Sequence, residues 1–298
     1  MANNTKDLLI RYPNNPIITR DMFKYKINSV FNAAASKLPD GTVVLLLRVE
    51  DRRGLSHLTV AKSKDGITNW QIDDKPTLYP DPENFPEELW GIEDARSIYI
   101  PELDKFAITY TSYSIAGPVV SLAFTRDFIN FEKCGVIMPP EDKDAALFPK
   151  KFNGKWILIH RPVPSQGFGA HIWISYSPDL KHWGEHKVIL KAREGSWWDA
   201  DRVGLATPPI ESKEGWLIFY HGVKKTVSSA IYRVGLALLD LKDPSRVIKR
   251  SEEWILSPYE KYELVGDVNN VVFPCGHVLD DKTGEIKLYY GAADSSIC

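Results

Sequence analysis

Short runs of alternating apolar and polar residues dominate the chain, and they recur. Five runs each follow a turn built on Asp, Asn or Gly: TVVLLLRVE after Asp40-Gly41, KFAITYTSY after Leu103-Asp104, KWILIHRP after Asn153-Gly154, WLIFYHGV after Glu214-Gly215 and EIKLYYGAA after Thr283-Gly284. Such turns and periods predict β-hairpins. A further strand candidate precedes each: FNAAASKL, DARSIYI, ALFPKKF, LATPPIES and VVFPCGHV. A third element follows four of them: HLTVAKSKDGITNW, VSLAFTRDFINF, IWISYSPDLKHW and VGLALLDLKDP. The first three of these share an Asp followed shortly by an aromatic, in the pairs Asp65/Trp70, Asp127/Phe131 and Asp179/Trp183. No stretch keeps a helical period over three turns. Five copies of one antiparallel unit predict an all-β chain folded as a five-bladed β-propeller, one catalytic domain over residues 1–298. A pair of β-sandwiches also uses short strands, but it does not account for the fivefold recurrence.

In a propeller the first strand of each blade lines the central channel. The residues at that place are Asn32, Asp94, Lys143 with Asp144, Asp201 with Arg202, and Asn269 with Asn270. The ends of the second strands add Arg48, His160 with Arg161, His221 and Asp294. A purely structural axis calls for small or apolar side chains, whereas this set is polar in all five repeats and charged in the middle ones. It predicts a functional site on the axis. The stretch Trp90-Gly91-Ile92-Glu93-Asp94-Ala95-Arg96 stands out within it. Strand alternation sends Glu93 and Asp94 to opposite faces, one into a pocket and the other onto a neighbour.

Composition narrows the chemistry. The 298 residues are 44% hydrophobic and 26% charged with a net charge of −2, an ordinary globular balance without a basic tail for nucleic acid. The start lacks an apolar leader, and no apolar run is long enough to span a membrane, so a cytoplasmic location is expected. Cys134, Cys275 and Cys298 lack metal-ligand or disulfide spacing and read as free thiols. No Gly-rich phosphate loop, GxSxG elbow or HExxH is present, so no cofactor and no metal are expected. One prominent carboxylate, Asp94, stands among Arg48, Lys143, Arg161, Arg202, His221 and Tyr232, a set suited to holding a phosphate.

These residues lie in FNAAA (31–35) with LLLRVED (45–51), GIEDAR (91–96), KDAALFPKKFNGKWILIHRP (143–162), DRVGLATPPIESKEGWLIFYHGV (201–223), YRVGLALLD (232–240) and YYGAAD (289–294). Together they resemble the mannoside phosphorylases of glycoside hydrolase family 130. The resemblance implies a five-bladed propeller that carries out inverting phosphorolysis of β-mannosides to α-mannose 1-phosphate, with inorganic phosphate as co-substrate. By position, Asp94 resembles the family's general acid, acting through the mannosyl 3-hydroxyl. Lys143, Arg161, Arg202, His221 and Tyr232 resemble its phosphate group, and Asn32, Arg48 and Asp294 its sugar-binding residues. Glu93, Asp144 and His160, beside them in the repeat, are read as substrate-binding too. Lys143-Asp144 stands where some relatives have Arg-Asn, and Asp144 beside a phosphate is repulsive unless it is paired. The overall pattern is nearer to β-1,2-mannobiose and oligomannan phosphorylases than to β-1,4 enzymes. A homo-oligomer is compatible with this reading. Since the chain stops just after GAAD, a short last blade is expected.

The charges favour phosphorolysis over hydrolysis. An inverting hydrolase needs an acid and a base, whereas phosphate is already an anionic nucleophile and needs the acid alone. A hydrolase of the same fold, with Asp144, Asp267 or Asp294 as second carboxylate, and a non-catalytic sugar-binding propeller are the alternatives. To donate, Asp94 must be protonated, so its pKa is expected to be raised, with Arg96 opposing. Acceptor choice is expected at the rim: the loops Tyr113 to Pro118, Pro164 to His171 and Gly195 to Asp199, with Trp197, Trp198, Phe168 and Tyr113 as sugar platforms and Gly167 and Gly169 leaving space.

Overall fold

The computed structural model describes residues 8–164, 169–280 and 282–298. The predicted hairpins form five antiparallel sheets. Blade 1 is β2 (Ser29–Lys37), β3 (Val43–Glu50), β4 (Ser56–Ser63) and β5 (Gln71–Ile72). Blade 2 is β6 (Ile92–Ile100), β7 (Lys105–Ser114), β8 (Gly117–Thr125) and β9 (Glu132–Met138). Blade 3 is β10 (Asp142–Leu147), β11 (Trp156–Pro162), β12 (Ile172–Ser177) and β13 (Gly184–Leu190). Blade 4 is β14 (Arg202–Leu205), the short β15 (Ile210–Glu211), β16 (Trp216–Lys225), β17 (Ala230–Leu239) and β18 (Val247–Arg250). Blade 5 is β19 (Val272–Leu279), β20 (Ile286–Ala292) and β21 (Ser296–Ile297), completed on its outer edge by β1 (Ile18–Thr19), which pairs Ile18 with Ile297. The last blade therefore has four strands, not the short sheet expected, because an early segment of the chain supplies the fourth. This closes the ring between blades 5 and 1.

Both faces of each blade are covered, which explains why the second strands read as almost unbroken apolar runs. Along β3, Val43, Leu45, Leu47 and Val49 join a cluster with Val278, Tyr289 and Ile297 of blade 5. The intervening Val44 and Leu46 join Phe106 and Ile108 of blade 2. Likewise Trp156 and Leu158 pack toward blade 2, while Ile157 and Ile159 pack toward blade 4. A cluster between blades 4 and 5, with Phe219, Val234, Val272 and Ala292, completes five inter-blade cores. The Asp of the third element works as a turn former: Asp65, Asp127 and Asp179 each accept two backbone N–H groups within the following three residues.

The first strands of blades 3 and 4 begin earlier than ALFPKKF and LATPPIES suggest, and stop at Leu147 and Leu205. Pro149, Pro208 and Pro209 follow these ends and lack the N–H that a ladder requires.

Candidate active site

Three of the axial strands carry the same local device. In β2, β6 and β10 an Asn or Asp takes a positive φ, at Asn32 (φ 50°), Asp94 (φ 45°) and Asp144 (φ 53°). At each the pairing register slips, between Phe31 and Ala34, Glu93 and Arg96, and Lys143 and Ala146. These are β-bulges, which re-aim side chains, and Asn and Asp tolerate this backbone region better than most residues. The sequence trace is a repeated Asn/Asp-Ala step: Asn32-Ala33, Asp94-Ala95 and Asp144-Ala145. The bulge overrides the alternation expected at Glu93-Asp94, and both carboxyls line the axial cavity.

That cavity is about 580 Å³ in volume and is lined by every residue given a catalytic, phosphate or sugar role except His160; Asp201, Asn269 and Asn270, also expected on the axis, do not line it. Asn32, Arg48, Glu93, Asp94 and Asp294 line it from blades 1, 2 and 5. Asp94 is buried, and its Oδ1 accepts from Asn32 Nδ2 and Arg48 Nη1, both at 2.9 Å. Arg48 also meets Glu93 Oε1 at 3.1 Å and lies over the Phe31 ring. On the other side, Lys143, Asp144, Arg161, Arg202, His221 and Tyr232 line it from blades 3 and 4. Asp144 does not stand free beside an anion: Arg161 Nε donates to its Oδ2 at 2.7 Å, His221 Nε2 is 3.5 Å away, and Arg96 Nη2 approaches Oδ1 at 3.3 Å. Gly204 makes this approach feasible, since a Cβ there would collide with the His221 ring and the Asp144 carboxylate.

Arg96, absent from the predicted site set, organises the floor. It is 1% exposed and donates to the carbonyls of Asp94, Leu205 and Ala206 as well as to Asp144, tying blades 2, 3 and 4 together. Its only signal in the sequence is its place in GIEDAR. Phe273 and Glu141 also line the cavity without having been predicted, Phe273 at 4.6 Å between ring centroids from His221.

His160 does not reach the axis. It neighbours Arg161 on β11, and alternation gives the axial face to Arg161. His160 Nδ1 lies 2.5 Å from Asp142 Oδ2, and its Nε2 lies 2.7 Å from Ser175 Oγ. Asp142 Oδ1 also accepts the Arg161 backbone N–H at 3.1 Å. His160 thus buttresses the strand pair on which Lys143 and Arg161 sit opposite one another. Among the rim candidates, Tyr113 lines the cavity against Trp90. Trp198 is core: it is buried, stacks on Tyr220 and donates to the Glu252 carbonyl. Trp197 is exposed under Arg193 in a separate groove. Gly167 and Phe168 lie outside the described residues.

Among the residues that line this cavity, the polar atoms left without partners sort by side. Among the described residues, buried Asn32 Oδ1, an acceptor, is unpaired toward blade 1, and Arg161 Nη1 and both ring nitrogens of His221 are unpaired toward blades 3 and 4. Buried polar groups are ordinarily satisfied, so Arg161 Nη1 and His221 Nδ1 are groups a ligand can complete, whereas Asn32 Oδ1 packs against Gly291 and His221 Nε2 faces Asp144.

Protonation also divides the cavity. Burial favours neutral Asp94, but Arg48, Lys143 and Arg96, with the Asn32 hydrogen bond, outweigh it and hold the carboxyl below the usual aspartate value. This reverses the expected direction, because the neighbouring cations prevail over desolvation. Asp294 goes the other way: burial raises it to about 7, opposed by Arg48 and reinforced by Asp94, Asp267 and Glu50. Burial lowers His221 to about 3, opposed by Asp144 and reinforced by Arg161, Arg96 and Arg202, so the imidazole is neutral. Asp144 is held far below the carboxylate range; burial opposes its charge but Arg161, His221, Arg96 and Lys143 dominate.

Known proteins share this architecture. A beta-1,4-mannooligosaccharide phosphorylase from Ruminococcus albus is 38% identical over 98% of this chain and 87% of its own. A 1,2-beta-oligomannan phosphorylase from a Thermoanaerobacter species is 39% identical over 90% of this chain and 88% of its own. The solved beta-1,2-mannobiose phosphorylase from Listeria innocua, in complex with beta-1,2-mannobiose, superposes with a TM-score of 0.86 at 34% identity, covering 96% of this chain and 94% of that one. The family described as beta-1,4-mannooligosaccharide phosphorylase matches residues 5–298, and the chain belongs to that family, glycoside hydrolase family 130.

Proposed function

We propose that the protein catalyses inverting phosphorolysis of β-mannosides, with β-1,2-linked mannobiose and oligomannan as substrates, giving α-D-mannose 1-phosphate. The observation that carries this is the set of buried, unpartnered donors at Arg161 and His221, flanked by Lys143, Arg202 and Tyr232. A water nucleophile needs one general base; it does not need three cations and a neutral imidazole. A phosphate dianion does, through charge-assisted hydrogen bonds.

The roles follow from the charges. Phosphate sits against Lys143, Arg161 and Arg202, with His221 and Tyr232 as neutral donors. Asp144 stays ionised as the counter-charge that orients Arg161, which leaves Nη1 for the ligand. The mannosyl ring sits between Asn32, Arg48, Glu93, Asp94 and Asp294, where carboxylates favour the positive charge that develops at the anomeric carbon. Asp94 supplies a proton to the mannosyl 3-hydroxyl, whose own proton passes to the departing oxygen as phosphate attacks from the opposite face. In the free enzyme its charge is stabilised by Arg48 and Lys143. A bound phosphate dianion would offset Lys143 and bring negative charge close, so phosphate binding itself moves Asp94 toward the protonated form. Asp294 offers a second reading of the acid, because it holds a proton up to about pH 7. Substituting each by Asn separates the two: the true donor's variant loses turnover but recovers it on substrates with an activated leaving group, which need no proton.

The test of the function is an incubation with β-1,2- and β-1,4-mannobiose, with and without phosphate. Mannose 1-phosphate formed from the β-1,2 substrate only when phosphate is present is the expected result. Free mannose formed at the same rate without phosphate would assign a hydrolase. For the linkage, the reverse reaction with α-mannose 1-phosphate and mannose should yield a β-1,2 product by NMR; a predominantly β-1,4 product would overturn that assignment alone.

A further inference from the structure

A second cavity, larger than the axial one at about 720 Å³, opens in the groove between blades 2 and 3. The two cavities meet along a ridge, since Glu141 and Val163 line both, and the Val163 N–H donates to the Glu141 carbonyl at 2.8 Å across that ridge. Glu141 is exposed there and free to accept from hydroxyl groups. Beyond the ridge, Trp173 and Trp183 supply partly exposed aromatic surface, and His171 and His186 supply ring nitrogens. The Trp183 indole N–H is buried with no hydrogen-bond partner among the described residues. Pockets for small organic ligands fall at roughly 300–1,000 Å³ and combine apolar or aromatic walls with a few polar groups. A pyranose has one apolar C–H face and a rim of hydroxyls, which suits tryptophan walls interleaved with imidazoles and a carboxylate. Nothing in the groove carries the net positive charge that phosphate would need.

We infer that this groove binds the reducing-end sugars of a β-mannooligosaccharide whose non-reducing mannosyl unit occupies the axial cavity, with the chain crossing the Glu141–Val163 ridge. The inference rests on the function proposed above and extends it to chain length: a disaccharide fills the axial cavity and its rim, while a third and a fourth sugar reach the tryptophans. Trp173 lies on β12, paired with His160 and Val188 and away from the axis, so it reads the groove without touching the reacting atoms.

The experiment compares kcat/KM for β-1,2-linked mannobiose, mannotriose and mannotetraose at saturating phosphate, in the wild type, Trp173→Ala and His186→Ala. The wild type should prefer the longer substrates. Trp173→Ala should lower kcat/KM for them by about tenfold, the ratio that about 1.4 kcal/mol of lost binding produces. Its disaccharide value should stay within about twofold, and His186→Ala should show the same pattern more weakly. A wild type indifferent to chain length, or a Trp173→Ala loss equal on all three substrates, overturns the inference. If the wild type releases no mannose 1-phosphate from any substrate, the proposed function fails. The groove is then judged by mannotriose titration of wild type and Trp173→Ala, and equal affinity for the two overturns it independently of turnover.

Discussion

On the side of blades 1, 2 and 5, one guanidinium, Arg48, faces three carboxyls, Glu93, Asp94 and Asp294; on the side of blades 3 and 4, three cations, Lys143, Arg161 and Arg202, face one buried carboxylate, Asp144, with the exposed Glu141 at the edge. The first half leaves an acceptor unpaired, Asn32 Oδ1, and the second leaves donors unpaired, at Arg161 and His221. One fold thus holds, a few ångströms apart, a place for a sugar that becomes positive and a place for a phosphate that is negative. The two balances are coupled. Lys143 reaches 3.8 Å from Glu93, and Arg96 touches both the Asp94 carbonyl and the Asp144 carboxylate. Loading one half therefore changes the charge state of the other.

The largest way to break the comparison is to remove the acid. Asp94→Asn should lower turnover by about 10²- to 10⁴-fold, the usual share of general acid catalysis, with the fold intact by circular dichroism. A variant keeping more than about a tenth of the activity would take Asp94 out of the mechanism. Next comes the counter-charge. Asp144→Ala leaves Arg96 and Arg161 buried without a carboxylate, and breaking such a buried pair costs about 3–5 kcal/mol, readable as a drop in chemical-denaturation stability. An unchanged midpoint would mean that Asp144 is not the counter-charge described.

Asp294 sharpens the contrast through pH. Its folded pKa, about 7, lies above its unfolded value, so the folded state binds the extra proton between these limits and wild-type stability from this group falls as pH rises through them. Asp294→Asn removes that dependence. The variant should gain on the wild type between about pH 4 and 7, by on the order of 1–4 kcal/mol in total, and the gap should level off above. A gap that is constant with pH would contradict the placement of the proton. The smallest effect is expected at His160. His160→Gln loosens the Asp142 support behind Arg161 and should raise the phosphate KM about two- to tenfold, the scale of one lost hydrogen bond, with the mannobiose KM held. An equal rise in both would reduce His160 to general packing.

Much of this was legible in the chain because it repeats. Fivefold hairpins, and polar residues where a propeller's axis requires small ones, were enough to place Asp94, Arg48, Lys143, Arg161, Arg202, His221, Asn32 and Asp294 around one cavity, while Tyr232 came from the family resemblance and Asp201, Asn269 and Asn270 were placed on the axis but do not line it. What alternation alone could not supply was the bulge. A positive φ at Asp94 brings Glu93 and Asp94 to the same side, and the repeated Asn/Asp-Ala step carries that information only once three copies are aligned. His160 and Arg161 show the converse: no bulge intervenes on β11, so only one of them can face the axis. The direction of the Asp94 shift was not legible either, because it depends on the distances of Arg48, Lys143 and Arg96, which come from three different blades. Trp198 illustrates a last limit: a Trp pair in a loop can be a platform or a core, and burial decides.

The central claim is that the two halves bind different partners, and the most direct test is the split of Michaelis constants in Arg161→Ala and Arg48→Ala. Losing a charge-assisted partner in a closed site costs about 1.5–3 kcal/mol, roughly a tenfold to hundredfold change. Arg161→Ala should raise the phosphate KM by that factor with the mannoside KM little changed, and Arg48→Ala should do the reverse. Variants that each damage both constants equally would contradict a divided cavity.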